Sequence, residues 1–160
     1  MNLQELLDNL PLELIFKIQS YILRPQPKKL LYDIKHYKIS KKLGLQLYKI
    51  RFQNEINPKE YLNWFSNDIS KYLNEDIATI YGFVEKYYDT FMRLYQINDK
   101  QTVINYTFKI LLKKEPNVEI NINWGLLKPK EREEMIAKFF DTNEIKYAHN
   151  SLSQSSLVSI

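Results

Sequence analysis

The chain contains no cysteine. That excludes a disulfide framework, thiolate metal ligands and a cysteine nucleophile. Glycine occurs three times in 160 residues, too sparsely for the turn-rich connections of an all-β fold. Gly44, Gly82 and Gly125 also stand too far apart to form a dinucleotide fingerprint or a P-loop. No apolar run reaches the roughly 20 residues that a membrane-crossing helix needs. The opening MNLQELLDNLPLEL carries Glu5 and Asp8 and no basic leader, so a signal peptide is not expected. Together with the missing cysteines, this predicts an intracellular and not a secreted protein.

Histidine is nearly as scarce. His36 stands among lysines, which offer no carboxylate to orient it, and His149 falls in a Ser-rich end. Neither reads as a general base. Glu131, Glu133 and Glu134 cluster at a helix start, where they complement the helix dipole. Glu85 and Asp89, four residues apart, read as a solvated face. No carboxylate–histidine group has metal spacing, so neither a metal nor a cofactor is expected. The composition and motifs therefore point away from an enzyme.

What the chain does have is apolar and aromatic mass: 44% hydrophobic residues, with twelve Tyr, eight Phe and two Trp. That is enough to build a core. Helical periodicity dominates, and the expected fold class is all-α, with six or seven helices. The expected domains are a small three-helix unit over 1–55, a helical unit over 56–140, and a loose tail over 141–160.

Pro11 opens a first helix that Pro25 and Pro27 close, with Leu14, Ile15, Ile18, Tyr21 and Ile22 on one stripe. A second helix from Lys28 turns Leu30, Leu31, Ile34 and Tyr37 inward. Ser40 is placed to cap a third, from Lys41 to about Asn54. Asn57 and Pro58 open a fourth, lined by Phe65, Ile69, Tyr72 and Leu73. A long helix is expected from Asp76 to Gln96, burying Ile77, Ile80 and Tyr81 among others, with Gly82 admitting a close neighbour. Another spans Lys100 to Lys114, with Phe108 and Leu112 inward. Val118, Ile120, Ile122 and Trp124 alternate with polar residues, which predicts a short extended segment over 118–124. A last helix follows Lys128, with Met135, Ile136, Phe139 and Phe140 buried.

Charge is unevenly distributed. Residues 24–51 hold Arg24, Lys28, Lys29, Lys35, Lys38, Lys41, Lys42, Lys49 and Arg51 against Asp33 alone, while the whole chain carries only +4. The remainder is net acidic. The abundance of Lys, Asn, Ile and Tyr over Gly and Ala is the signature of A/T-rich codon usage, so a Lys-rich solvated face is one reading of this run. Another is phosphate binding with tyrosines Tyr32, Tyr37 and Tyr48 for stacking, without base readout.

The stretch LPLELIFKIQSYI resembles the start of the F-box: Leu10-Pro11, Glu13 two residues on, then Leu14, Ile15, Ile18, Tyr21 and Ile22. Its continuation PQPKKLLYDIKHY is similar to a variant found in proteins of large double-stranded DNA viruses of protists. The usual second half of the F-box, with its small polar residues and terminal Trp, is absent. The resemblance implies an adaptor module that docks on the Skp-type linker subunit of a cullin–RING ubiquitin ligase. Leu10, Pro11, Leu14, Ile15, Ile18 and Ile22 would face that partner, and the setting would be host cytoplasm or virion. The rival expectations are a structural or virion-associated protein, and a sequence-independent nucleic-acid binder through Lys28, Lys29, Lys35, Lys38, Lys41, Lys42, Lys49 and Arg51.

Overall fold

A computed structural model of the chain describes residues 26–54, 57, 59–94 and 97–157. Among these residues the fold is all-α, with no strand. The helices are α1 (Lys28–Arg51), α2 (Glu60–Leu73), α3 (Glu85–Phe91), α4 (Lys100–Lys109), α5 (Pro116–Leu126), α6 (Pro129–Phe139) and α7 (Thr142–Leu157). Short 3-10 turns stand at Thr79–Tyr81 and Leu111–Lys113. Contacts divide the chain into Met1–Ile34 and Lys35–Ile160. The division falls earlier than position 55, because residues from Lys35 onward belong with the C-terminal helices.

The second and third helices expected from the sequence are one. Ser40 is not a cap but a buried mid-helix residue. Its hydroxyl donates to the His36 carbonyl at 2.7 Å and accepts from Trp124 Nε1 at 3.1 Å. Back-bonding of this kind satisfies the hydroxyl without ending the helix. The face expected to be buried near the start of the helix is instead outward, with Leu30, Leu31 and Ile34 exposed.

The core of the second unit is aromatic. Leu43, Leu47 and Tyr48 of α1 join Phe65, Ile69 and Leu73 of α2, Ile120 and Trp124 of α5, and Met135 of α6. Tyr48 stacks on Phe65 at 4.7 Å and meets Phe140 edge-on at 4.9 Å, while Phe65 meets Trp124 at 5.3 Å. Tyrosine serves this core because each buried ring keeps a partner for its hydroxyl. Tyr48 donates to Asp68 at 2.7 Å, Tyr72 to Glu134 at 3.0 Å, and Tyr87 pairs with Thr107 at 3.1 Å.

Three further expectations are corrected. Residues 118–124 lie in α5 and are not extended. Their alternation misleads because Asn123 shares the buried face with Ile120, Trp124 and Leu127, at i, i+3, i+4 and i+7. The 141–160 tail is helical as far as Leu157. Asp141 accepts from the amides of Asn143 and Glu144 at 2.7 and 2.9 Å, and Glu144 accepts from the Asp141 amide at 2.9 Å, a reciprocal cap. Ile145, Ala148 and Leu152 then hold α7 on the core.

The third correction is the long helix from Asp76, which is broken. Glu75 and Asp76 adopt φ of 50° and 67° and Gly82 one of 106°. Fully buried Asn74 clasps the resulting loop. It donates to the carbonyls of Ile77 (2.7 Å) and Gly82 (2.9 Å) and accepts from the Val84 amide (2.9 Å). Ile77, Ile80 and Tyr81 are consequently exposed, while Tyr87 and Phe91 of α3 are buried as expected. Phe108 within α4 and Leu112 in the turn after it also face outward.

The close helix approach belongs to Gly44, not Gly82. A Cβ at Gly44 would stand 2.7 Å from Cζ of Phe65, whereas one at Gly82 meets nothing within 4 Å. Phe65 is fully buried and cannot swing aside. Gly44→Ala gains about 1 kcal/mol of helix propensity but incurs an overpacking cost of about 1–3 kcal/mol. The net expectation is a lower urea-unfolding midpoint. An unchanged or raised midpoint would show that the α1–α2 contact has slack.

Candidate functional site

Leu10, Pro11, Leu14, Ile15, Ile18 and Ile22 lie outside the described residues. The basic segment does not, beyond Arg24, and α1 sorts its members into different roles. Lys28 and Lys29 are exposed in the first unit. Lys41 donates to Asn121 Oδ1 and lies over the Tyr37 ring. Arg51 donates to the Phe139 carbonyl at 2.9 Å, pairs with Glu144 at 2.7 Å, and stacks on Phe140 at 3.9 Å. Those two cations hold the bundle together. Lys35, Lys38, Lys42 and Lys49 are exposed, with no ion pair or hydrogen bond of the side chain among the described residues.

The structure brings both histidines to one cleft, which the sequence reading missed. His36, Glu133 and His149 line a cavity of about 310 Å³ together with Ile39, Leu43 and Ile145. His36 Nε2 lies 3.0 Å from Glu133 Oε1, so a carboxylate does orient this ring. It comes from α6, a long way off in sequence, which is why no local pattern announced it. Ser40, which also lines the cleft, has its hydroxyl committed to the His36 carbonyl and the Trp124 indole. Among the described residues, no three of His, Cys, Asp and Glu assemble as metal ligands.

The glutamates of α6 turn out to be three separate ties. Glu131 accepts from the Lys128 amide at 2.6 Å and pairs with Arg93 at 2.6 Å. Burial works to raise its pKa, but the Arg93 guanidinium and the Lys128 amide more than offset that and hold it below the usual glutamate range. Glu133 meets His36, and Glu134 accepts from Tyr72. Glu85 is likewise paired, with Lys100.

One acid is held the other way. Glu119 of α5 is partly buried facing α2, and burial pushes its pKa up against the opposing hydroxyls of Ser66 and Ser70. No second ionisable partner is needed to explain the shift, so it reads as a packing consequence and not as a catalytic acid.

The chain matches no family model, no curated protein and no solved structure. No helix among the described residues is long and apolar enough to cross a membrane.

Glu119 gives a signed pH dependence. Its folded-state pKa lies above its unfolded value, so the favourable contribution is fully present below the ordinary glutamate range and is lost as pH rises through the raised value. Glu119→Gln mimics the protonated form. The variant should have a higher urea midpoint than wild type at pH 7 and the same midpoint near pH 3. Equal midpoints at both pH values would refute the buried-acid assignment.

Proposed function

We propose that this chain is a non-catalytic protein-interaction adaptor of F-box-like type, whose N-terminal segment docks on the Skp-type linker subunit of a cullin–RING ubiquitin ligase. The observation that carries the reading is the position of the contact division. It falls after Ile34, so the stretch bearing Leu10, Pro11, Leu14, Ile15, Ile18 and Ile22 belongs to a unit of its own. The unit from Lys35 onward has its own aromatic core, running from Leu43 on α1 to Ala148 on α7. A chain divided into two units suits an adaptor, in which one part grips the ligase and the other presents a cargo.

A short amphipathic helix entered through a proline offers a rigid apolar ridge to a groove. The unit from Lys35 to Ile160 would carry the substrate contact.

The test is retention of the full chain on immobilised linker subunit. Wild type should be retained, and Leu10→Ala with Pro11→Ala should weaken binding by at least about 10-fold, as truncation of central apolar anchors does. Thermal unfolding of both proteins checks that the second unit is intact. No retention of wild type, or equal retention of the double variant, would remove the adaptor reading.

A further inference from the structure

Because α1 is continuous, its cations acquire an order that two separate helices would not give them. At 3.6 residues per turn, Lys35, Lys38, Lys42 and Lys49 fall within an arc of about 60° over a rise of about 21 Å. Ser40, Leu43, Gly44 and Leu47, which are buried, occupy the opposite side of the same helix. The lysines therefore form a straight stripe on the outward face. Asp33 is the sole acid of α1, and its position on the helix is outside that arc.

Such a stripe is unfavourable for folding. Lys35 and Lys38 are three apart, and Lys38 and Lys42 four apart, spacings at which like charges on a helix repel. Several cations elsewhere in the unit have acid partners, Arg93 with Glu131, Lys100 with Glu85, Lys130 with Glu134 and Lys138 with Asp76. Lys71, Lys109, Lys113 and Lys114, unpaired among the described residues, are spread over other elements instead of aligned on one helix face. Codon usage enriches lysine everywhere, but it does not align lysines on one face or remove acids from that face. A surface serving only solubility mixes its signs.

We infer that the outward face of α1 binds the phosphodiester backbone of duplex nucleic acid. Four flexible ammonium groups in a row supply charge to successive phosphates. Lysine lacks the planar fork that reads guanine, so the contact is independent of sequence. Single strands are the weaker ligand, because of the three tyrosines of α1 Tyr48 is buried, Tyr37 is turned to the core under Lys41, and the exposed Tyr32 stands outside the arc of the lysines, which leaves one ring and no row of them for stacking. The residues involved are separate from those of the proposed adaptor contact, so either reading can fail alone.

The experiment is a fluorescence-anisotropy titration of the full chain against a labelled duplex of about 20 base pairs, in a salt series. Four phosphate contacts predict a log–log slope of about −3.6, or roughly a 100-fold loss of affinity between 50 and 200 mM salt. Changing Lys35, Lys38, Lys42 and Lys49 together to Gln should abolish most of the binding and flatten the slope. Changing Lys71, Lys109, Lys113 and Lys114 to Gln removes the same charge from other exposed positions and should leave the slope unchanged. Unfolding curves show whether each variant is folded. The inference is overturned by a wild type that does not bind at 50 mM salt, or by equal losses in the two variants. It is also overturned if polyglutamate or anionic vesicles bind as tightly as the duplex, which would assign the stripe to an acidic protein or a membrane surface.

Discussion

The unbroken course of α1 through Ser40 is the constraint on which the rest of the second unit depends. A serine in mid-helix ordinarily competes with its own backbone. Here its hydroxyl is occupied on both sides, by the His36 carbonyl and by the Trp124 indole, and the competition is removed. The same hydrogen bond fixes the indole of a fully buried Trp124 on α5 against α1. Gly44, one turn further on, then lets Phe65 of α2 lie directly on the helix backbone. Tyr48, the next turn, stacks on that ring. Three successive turns of one helix thus position α5, α2 and the Phe140 corner in that order. A break at Ser40 would free each of those contacts separately.

Polar groups do much of the specifying around this apolar centre. Asn74 satisfies three backbone groups of a loop that contains two non-glycine residues at positive φ, each costing about 1 kcal/mol or more. Arg132 is fully buried, donates to the Trp124 carbonyl at 3.0 Å and lies over the Tyr37 ring. Breaking such a contact from one side leaves a buried charge or carbonyl without its partner, a larger penalty than the bond's net contribution. That asymmetry makes the arrangement specific: alternative packings of these helices would have to leave the same groups unsatisfied.

Helix identity was legible wherever burial followed hydrophobicity. Phe65, Ile69, Tyr72 and Leu73 on α2, and Met135 and Ile136 on α6, are buried as their spacing predicts. It was illegible where the buried face contained a polar residue or a small one. Asn123 on the inner face of α5 disguised a helix as an alternating strand, and Ala148 left α7 with an apolar stripe too thin to register among serines. The cap formed by Asp141 and Glu144 was visible as a D-x-x-E pattern and would have rescued α7. The break at Glu75 was hidden for the opposite reason, since Ile77, Ile80 and Tyr81 keep a helical spacing while facing solvent. Of the candidate site residues, the lysines could be found by counting, but their alignment required knowing that Ser40 does not interrupt the helix. The His36–Glu133 pair required tertiary structure outright.

Continuity of α1 has opposite consequences on its two faces. Inward, it concentrates small and aromatic residues into a tight contact. Outward, it brings four positive charges into a row whose mutual repulsion the protein tolerates. In water with physiological salt that repulsion is screened over about 8 Å, so its cost is modest. Against a polyanion the same row acts in concert, because each ammonium replaces a condensed counterion whose release is entropically favourable. A bundle whose stability rests on Trp124, Phe65 and Tyr48 can carry such a stripe without loss of its fold. Lys41 and Arg51, which do stabilise the bundle, are withdrawn from the row and given protein partners. The division of labour among the cations of one helix is therefore set by which side of the helix each residue number falls on.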